Sequence, residues 1–128
     1  DEGVRADSSL DRLGALAAAF RSDEMAVRFP EIDWQVTAGN ASQVSDGACA
    51  LLIMEEGRAQ ALGLRPRARI THFAVAGDDP VLMLTAIVPA TAKLLARARL
   101  SIDDIDVFEV NEAFASVVLH WQAETGAD

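Results

Sequence analysis

Asn111 and Glu112 set an amide beside a carboxylate at a point where the pattern of the chain changes. Before them, Asp106-Val107-Phe108-Glu109-Val110 reads as a strand. After them, Phe114, Val117, Val118 and Trp121 fall at i, i+3, i+4 and i+7, one face of a helix. Two uses suit this place. Asparagine is a good helix N-cap, and glutamate in a first turn complements the helix dipole. The same junction is the carboxyl end of a strand, where ligands gather in α/β sheets. Cys49, the single cysteine, cannot form an internal disulfide; inside "GACALLI" it reads as a small buried hydrophobe. His72, in "RITHFAV", and His120 have no metal-ligand spacing between them and read as structural or surface residues.

The elements that would position these groups follow from pattern. Ser8 or Ser9 caps a helix carrying Leu10, Leu13, Ala17 and Phe20; an irregular stretch, "RSDEMAVRFPEIDW", follows and is broken at Pro30. Small polar and glycine residues, "TAGNASQVSDG" (37–47), lead into "ACALLIM" (48–54), an apolar run suited to a strand buried on both faces. "EEGRAQALG" predicts a short helix with Gly63 as its stop and Pro66 beyond. "ARITHFAVAG" (68–77) is a β-branched strand, and Pro89 sits in the first turn of "PATAKLLARARL". Ser101 and Asp104 form a capping pair for one short turn. Alternating strands and helices predict an α/β fold, a mostly parallel sheet covered by helices and preceded by a loop-rich segment.

Composition bounds the rest. A chain of 128 residues suits one domain, roughly two-thirds of the unfolded surface being buried at this size. The 51% apolar content argues against disorder. Eleven Lys and Arg stand against 20 Asp and Glu, a net charge of −9, so a broad phosphate-tracking surface for nucleic acid is not expected. No run reaches the ~18 apolar residues of a membrane span, and "DEGVRADSSL" has no basic or apolar leader character. The chain is expected in the cytoplasm.

Two segments, "TAGNASQVSDGACALLIM" and "VNEAFA", in this order and joined by an α/β stretch, resemble the thiolases, acyl-CoA acetyltransferases that make or cleave a 3-ketoacyl-CoA. "DEGVR" is similar to the start of that family's loop domain and "GDDPVLM" to its strand-loop, so four motifs stand in register. The resemblance implies part of the thiolase fold. Residues 1–36 would be the remainder of the loop domain and 37–128 the first part of the C-terminal α/β half.

Thiolases use an acylated cysteine, a Gly-His-Pro histidine that activates it, and a second cysteine that moves the proton at the acetyl α-carbon. None of these motifs occurs here, which implies a central piece of a thiolase that is inactive alone. Asn111 resembles the family asparagine that holds a water against the thioester carbonyl oxygen, a task for an amide that adds no charge. Glu112 is read as orienting or dipole-complementing. Phe114 and Met83 would line the acyl or pantetheine pocket, with an ordinary core place as the alternative. Ser42 and Ala41 match the small residues where the pantetheine arm passes. Arg5 matches the arginine near the nucleotide end of the coenzyme, with a solvated surface arginine as the alternative.

The resemblance implies no permanently bound cofactor and no metal; coenzyme A enters as a substrate. The implied partners are acyl-CoA, CoA and further subunits of a dimer or tetramer, in fatty acid or lipid metabolism. A long "RSDEMAVRFPEIDWQ" link, and "LMLTAIVPA" where Gly-Pro is usual, lean toward a degradative enzyme for bulkier 3-ketoacyl-CoA. The alternative is a truncated, non-catalytic protein that binds acyl-CoA or a thiolase subunit.

Overall fold

Five α-helices and one 3-10 turn occur in the computed structural model, which describes residues 3–128: α1 (Leu10–Gly14), α2 (Asp23–Arg28), α3 (Glu56–Ala61), α4 (Ile87–Ala98), the 3-10 turn (Ile102–Asp104) and α5 (Ala115–Thr125). They fall into two units, one of Asp1–Val44 with Ile105–Asp128 and one of Ser45–Asp104.

In the first unit, Ser9 caps α1, its hydroxyl accepting the Arg12 N–H at 3.3 Å, while the Ser8 hydroxyl donates to the Arg5 carbonyl at 3.0 Å. The helix is shorter than its apolar pattern predicts. It ends at Gly14, because Ala18 pairs with Thr37 in an antiparallel bridge and the Ala19 N–H donates to the Val36 carbonyl at 2.7 Å. That pairing holds Ala18 and Ala19 outside the helix, so Ala17 and Phe20 do not extend it. The stretch predicted to be irregular contains α2, capped by Ser22 through the Met25 N–H at 3.2 Å, with Asp23 and Glu24 in its first turn. α5 buries Val117 and Trp121 as predicted, and Phe108 meets the Trp121 ring edge-on at 5.0 Å between centroids.

In the second unit, the Glu55 carboxylate accepts the N–H groups of Gly57 and Arg58, both at 2.9 Å, and starts α3. Gly63, at φ +67°, stops it, as only a residue without Cβ does freely. Pro89 lies in the first turn of α4, and Arg99 ends that helix in the left-handed region. From one side of α4, Lys93 donates to the Val75 carbonyl at 2.8 Å and Arg97 to the Phe73 carbonyl at 3.1 Å. The predicted pair at the 3-10 turn is formed: Asp104 accepts the Ser101 N–H at 2.8 Å and its hydroxyl at 2.7 Å.

The predicted strands 48–54, 68–77 and 106–110 carry no ladder; the described residues hold two isolated bridges and no paired sheet. A strand needs the N–H and C=O groups of a neighbour, and none of the three segments has one here. Many of their side chains accordingly face solvent, Leu51 82%, Ile53 70% and Phe73 78% exposed, while Phe108 is half-buried against Trp121. Cys49 shares this condition. It is exposed and free rather than buried, because the strand that would bury it is unpaired.

Candidate active site

Asn40, Ala41 and Ser42 run antiparallel to Ala113, Phe114 and Ala115. Ala41 and Phe114 form the bridge; the Ser42 N–H donates to the Ala113 carbonyl at 3.0 Å and the Ala115 N–H to the Asn40 carbonyl at 2.9 Å. Three predicted site residues, Ala41, Ser42 and Phe114, are thus brought together from distant parts of the chain. Ala41 and Phe114 are half-buried and Ser42 is exposed. The first loop is held by its own polar groups. Asn40 Oδ1 accepts the Thr37 N–H at 2.8 Å, Asn40 Nδ2 donates to the Gln35 carbonyl at 3.0 Å, and Thr37 Oγ1 accepts the Gly39 N–H at 3.1 Å. A Cβ at Gly39 would lie 2.7 Å from Leu13 Cδ2 and 2.8 Å from Leu16 Cδ1, so the absence of a side chain lets these leucines close over the loop.

Asn111 is exposed and lies just before this junction, and none of the described hydrogen bonds uses its amide. It is not the helix cap. The N-cap of α5 is Phe114, in extended backbone and with no side-chain cap bond, so the capping use of Asn111 falls away. Glu112 likewise precedes the cap, and the first turn of α5 holds no acidic residue, so Glu112 does not occupy the dipole-complementing place. An exposed amide at a turn can donate to, and accept from, a water or ligand without introducing charge.

Arg5 is exposed, with one guanidinium nitrogen donating to the Gly3 carbonyl at 3.2 Å. A Cβ on Gly3 would collide with the Gln43 amide, so the chain start passes close beside the 40–43 loop. Of the "DEGVR" motif, Asp1 and Glu2 lie outside the described residues. A cleft of about 180 Å³ lined by Phe20, Ile32, Trp34 and Val36 contains none of the predicted site residues.

Met83 belongs to the second unit and sits at φ +57°, followed by Leu84 at φ +60°. Two adjacent left-handed residues with side chains cost energy and need outside support. Asp79 supplies it, its carboxylate accepting the N–H groups of Val81 at 2.7 Å and Leu82 at 3.0 Å. The Leu82 bond first, then the Val81 bond, hold the Asp79 carboxyl below its ordinary pKa. Thr85 Oγ1, beside the turn, is buried without a partner among the described residues. His72 and His120 are both exposed, and no group of three metal-ligating side chains occurs among the described residues.

Asn40 and Asp79 carry no distinguishing motif of their own in the sequence. The signal for each is an Asn or Asp followed by residues whose amides it can reach, a local pattern that many loops share.

Residues 1–57 match the model of the thiolase N-terminal domain and residues 64–128 that of the thiolase C-terminal domain. The chain belongs to the thiolase family. It is 48% identical over 126 residues to the 3-oxoadipyl-CoA/3-oxo-5,6-dehydrosuberyl-CoA thiolase of Escherichia coli K12, covering 98% of this chain and 29% of that protein. Its fold matches human mitochondrial 3-ketoacyl-CoA thiolase in complex with CoA at a TM-score of 0.87, with 38% identity, over 100% of this chain and 30% of that one. The dimeric peroxisomal thiolase of Saccharomyces cerevisiae matches at 0.88, with 35% identity and the same coverage. The chain therefore spans less than a third of the length of these relatives, and its course is that of part of the thiolase fold.

Proposed function

We propose that these residues are the central segment of a thiolase that cleaves or forms 3-ketoacyl-CoA through an acyl-cysteine intermediate. The observation that carries the reading is the junction of 40–42 with 113–115, which joins the coenzyme-side loop to the loop bearing Asn111. In this reading the reacting cysteine and the activating histidine come from the rest of the protein. Asn111 fixes a water against the thioester oxygen as it becomes negative, and preorganised donors of that kind act most strongly where water is otherwise excluded. Ser42 and Ala41 leave room for the pantetheine arm, Phe114 and Met83 line the acyl side, and Arg5 meets the nucleotide end as a guanidinium suited to phosphate.

Coenzyme A is a substrate rather than a resident cofactor, and the working protein is a dimer or tetramer in the cytoplasm. Residues 1–36 complete the loop domain and 37–128 begin the C-terminal half. The long "RSDEMAVRFPEIDWQ" link, and "LMLTAIVPA" where Gly-Pro is usual, support a degradative enzyme taking a bulkier 3-ketoacyl-CoA.

Thiolysis by the full-length protein tests the reading. Loss of the 3-ketoacyl-CoA enolate absorbance on adding CoA, with acetyl-CoA formed in equal amount, is expected. CoA binding without turnover would replace it with the non-catalytic acyl-CoA-binding reading.

A further inference from the structure

We propose that Asn40 is a positioning residue for the thiolase reaction, holding the coenzyme-side loop and the Asn111 loop in one register. The inference rests on the function proposed above. Its basis is the way Asn40 uses three of its polar groups. The side-chain oxygen takes the Thr37 N–H and the side-chain nitrogen gives to the Gln35 carbonyl, so both ends of the amide are spent on the chain just before it. The main-chain carbonyl is then left to accept the Ala115 N–H at 2.9 Å. The two side-chain bonds fix where the Asn40 Cα sits, and so where the peptide carrying this carbonyl begins opposite Ala115.

Two residues on, Ser42 donates to Ala113. This second bond forms only while the first fixes the register, because paired groups on one edge of an antiparallel bridge recur every second residue. A shift at Asn40 is therefore passed at once to Ser42, to Ala113 and to Asn111 two residues before it.

Asn40 is exposed, and the buried residues of its unit, Val117, Trp121 and Ala127, are not among its partners. Its loss loosens the junction rather than the core. Aspartate in its place keeps the acceptor for Thr37 but gives up the donor to Gln35, so the two bonds can be separated.

The test is a double-mutant cycle in the full-length protein with Asn40→Ala, Asn111→Ala and both, measuring kcat, KM for CoA and thermal melting. Asn40→Ala is expected to lower kcat about tenfold and raise KM for CoA severalfold, whereas in the Asn111→Ala background its further effect on kcat falls below about twofold, since groups acting through one interaction are not additive. Asn40→Asp should fall between the alanine variant and the unchanged protein, and carries the cycle if the alanine variant does not fold. An equal loss of kcat in both backgrounds, or an unchanged kcat with a lower melting temperature, would overturn the proposal. So would failure of both variants to fold, which would make the role global. Absence of thiolysis in the unsubstituted protein would instead overturn the thiolase reading, and this proposal with it.

Discussion

The Asp79 carbonyl accepts the Met83 N–H at 3.0 Å, closing a turn in which Met83 and Leu84 both stand at positive φ. A left-handed residue with a side chain costs about 1–2 kcal/mol, against a glycine penalty in the unfolded chain of about 0.5–1 kcal/mol. Leu84→Gly is therefore expected to stabilise the full-length protein by up to about 1 kcal/mol, read as a higher urea midpoint at unchanged slope. A lower midpoint would show that contacts of the Leu84 side chain outweigh the strain.

Asn111→Ala should lower kcat of the full-length protein by about 10²–10³, the usual loss for one oxyanion donor. Because Phe114 and not Asn111 caps α5, stability should stay within about 0.5 kcal/mol, the range of ordinary surface substitutions. Asn111→Asp should be at least as inactive, since it sets a negative charge where a negative oxygen forms. A near-normal kcat for either variant, on folded protein at saturating substrate, removes Asn111 from the reaction.

Glu55, Asp79 and Asp104 each carry a carboxyl held below its ordinary pKa by hydrogen bonds, from Gly57 then Arg58, from Leu82 then Val81, and from the Ser101 backbone then its hydroxyl. A folded-state value below the unfolded one gives stability that is present above the unfolded pKa and lost as pH falls through the folded value. Amide exchange at Gly57, Arg58, Val81, Leu82 and Ser101 should accelerate as pH falls below the ordinary carboxylate range, beyond the intrinsic pH effect. Glu55→Gln should remove that extra acceleration at Gly57 and Arg58 alone.

Cys49 is exposed in the 128-residue chain, so a thiol reagent should titrate it fully without denaturant. In the full-length protein, Cys49→Ala should leave thiolysis within a few-fold, because no hydrogen bond or ion pair to this thiol occurs among the described residues. A loss of about a hundredfold with folding intact would reverse that assignment.

The isolated chain should show no thiolysis above background and should bind a hydrophobic dye and self-associate. Leu51, Leu52, Ile53, Phe73 and Val107 are all exposed on segments without strand partners. A monomeric chain with a cooperative melt at high concentration would contradict this.

What the sequence made legible is local. Gly63 as a helix stop, Pro89 in a first turn, the Ser101–Asp104 pair and the Val117–Trp121 face each depend on residues a few positions apart, and each is present. The early end of α1 depends on Ala18 meeting Thr37, and the place of the α5 cap on Phe114 meeting Ala41. Those pairings are long-range, and no pattern within a helix-length window contains them. Ser22-Asp23-Glu24, by contrast, is a start signal for α2 that lies within the pattern, close before the break at Pro30. The family motifs point to Asn111, Ser42 and Phe114 as candidate site residues, whereas the contact that joins two of their loops is main-chain and leaves no trace in residue type.

Lys93 and Arg97 also act as a gauge. Four residues of α-helix advance about 6 Å, and two residues of extended chain about 6.6 Å, so a pair of cations one turn apart matches alternate carbonyls of a neighbouring extended segment. Slipping 68–77 by one residue would offer these cations the opposite edge of that segment, removing the acceptors at Phe73 and Val75. α4 thereby fixes which edge of 68–77 is turned toward it, and a substitution such as Lys93→Met should loosen the hold on that edge rather than unwind the helix.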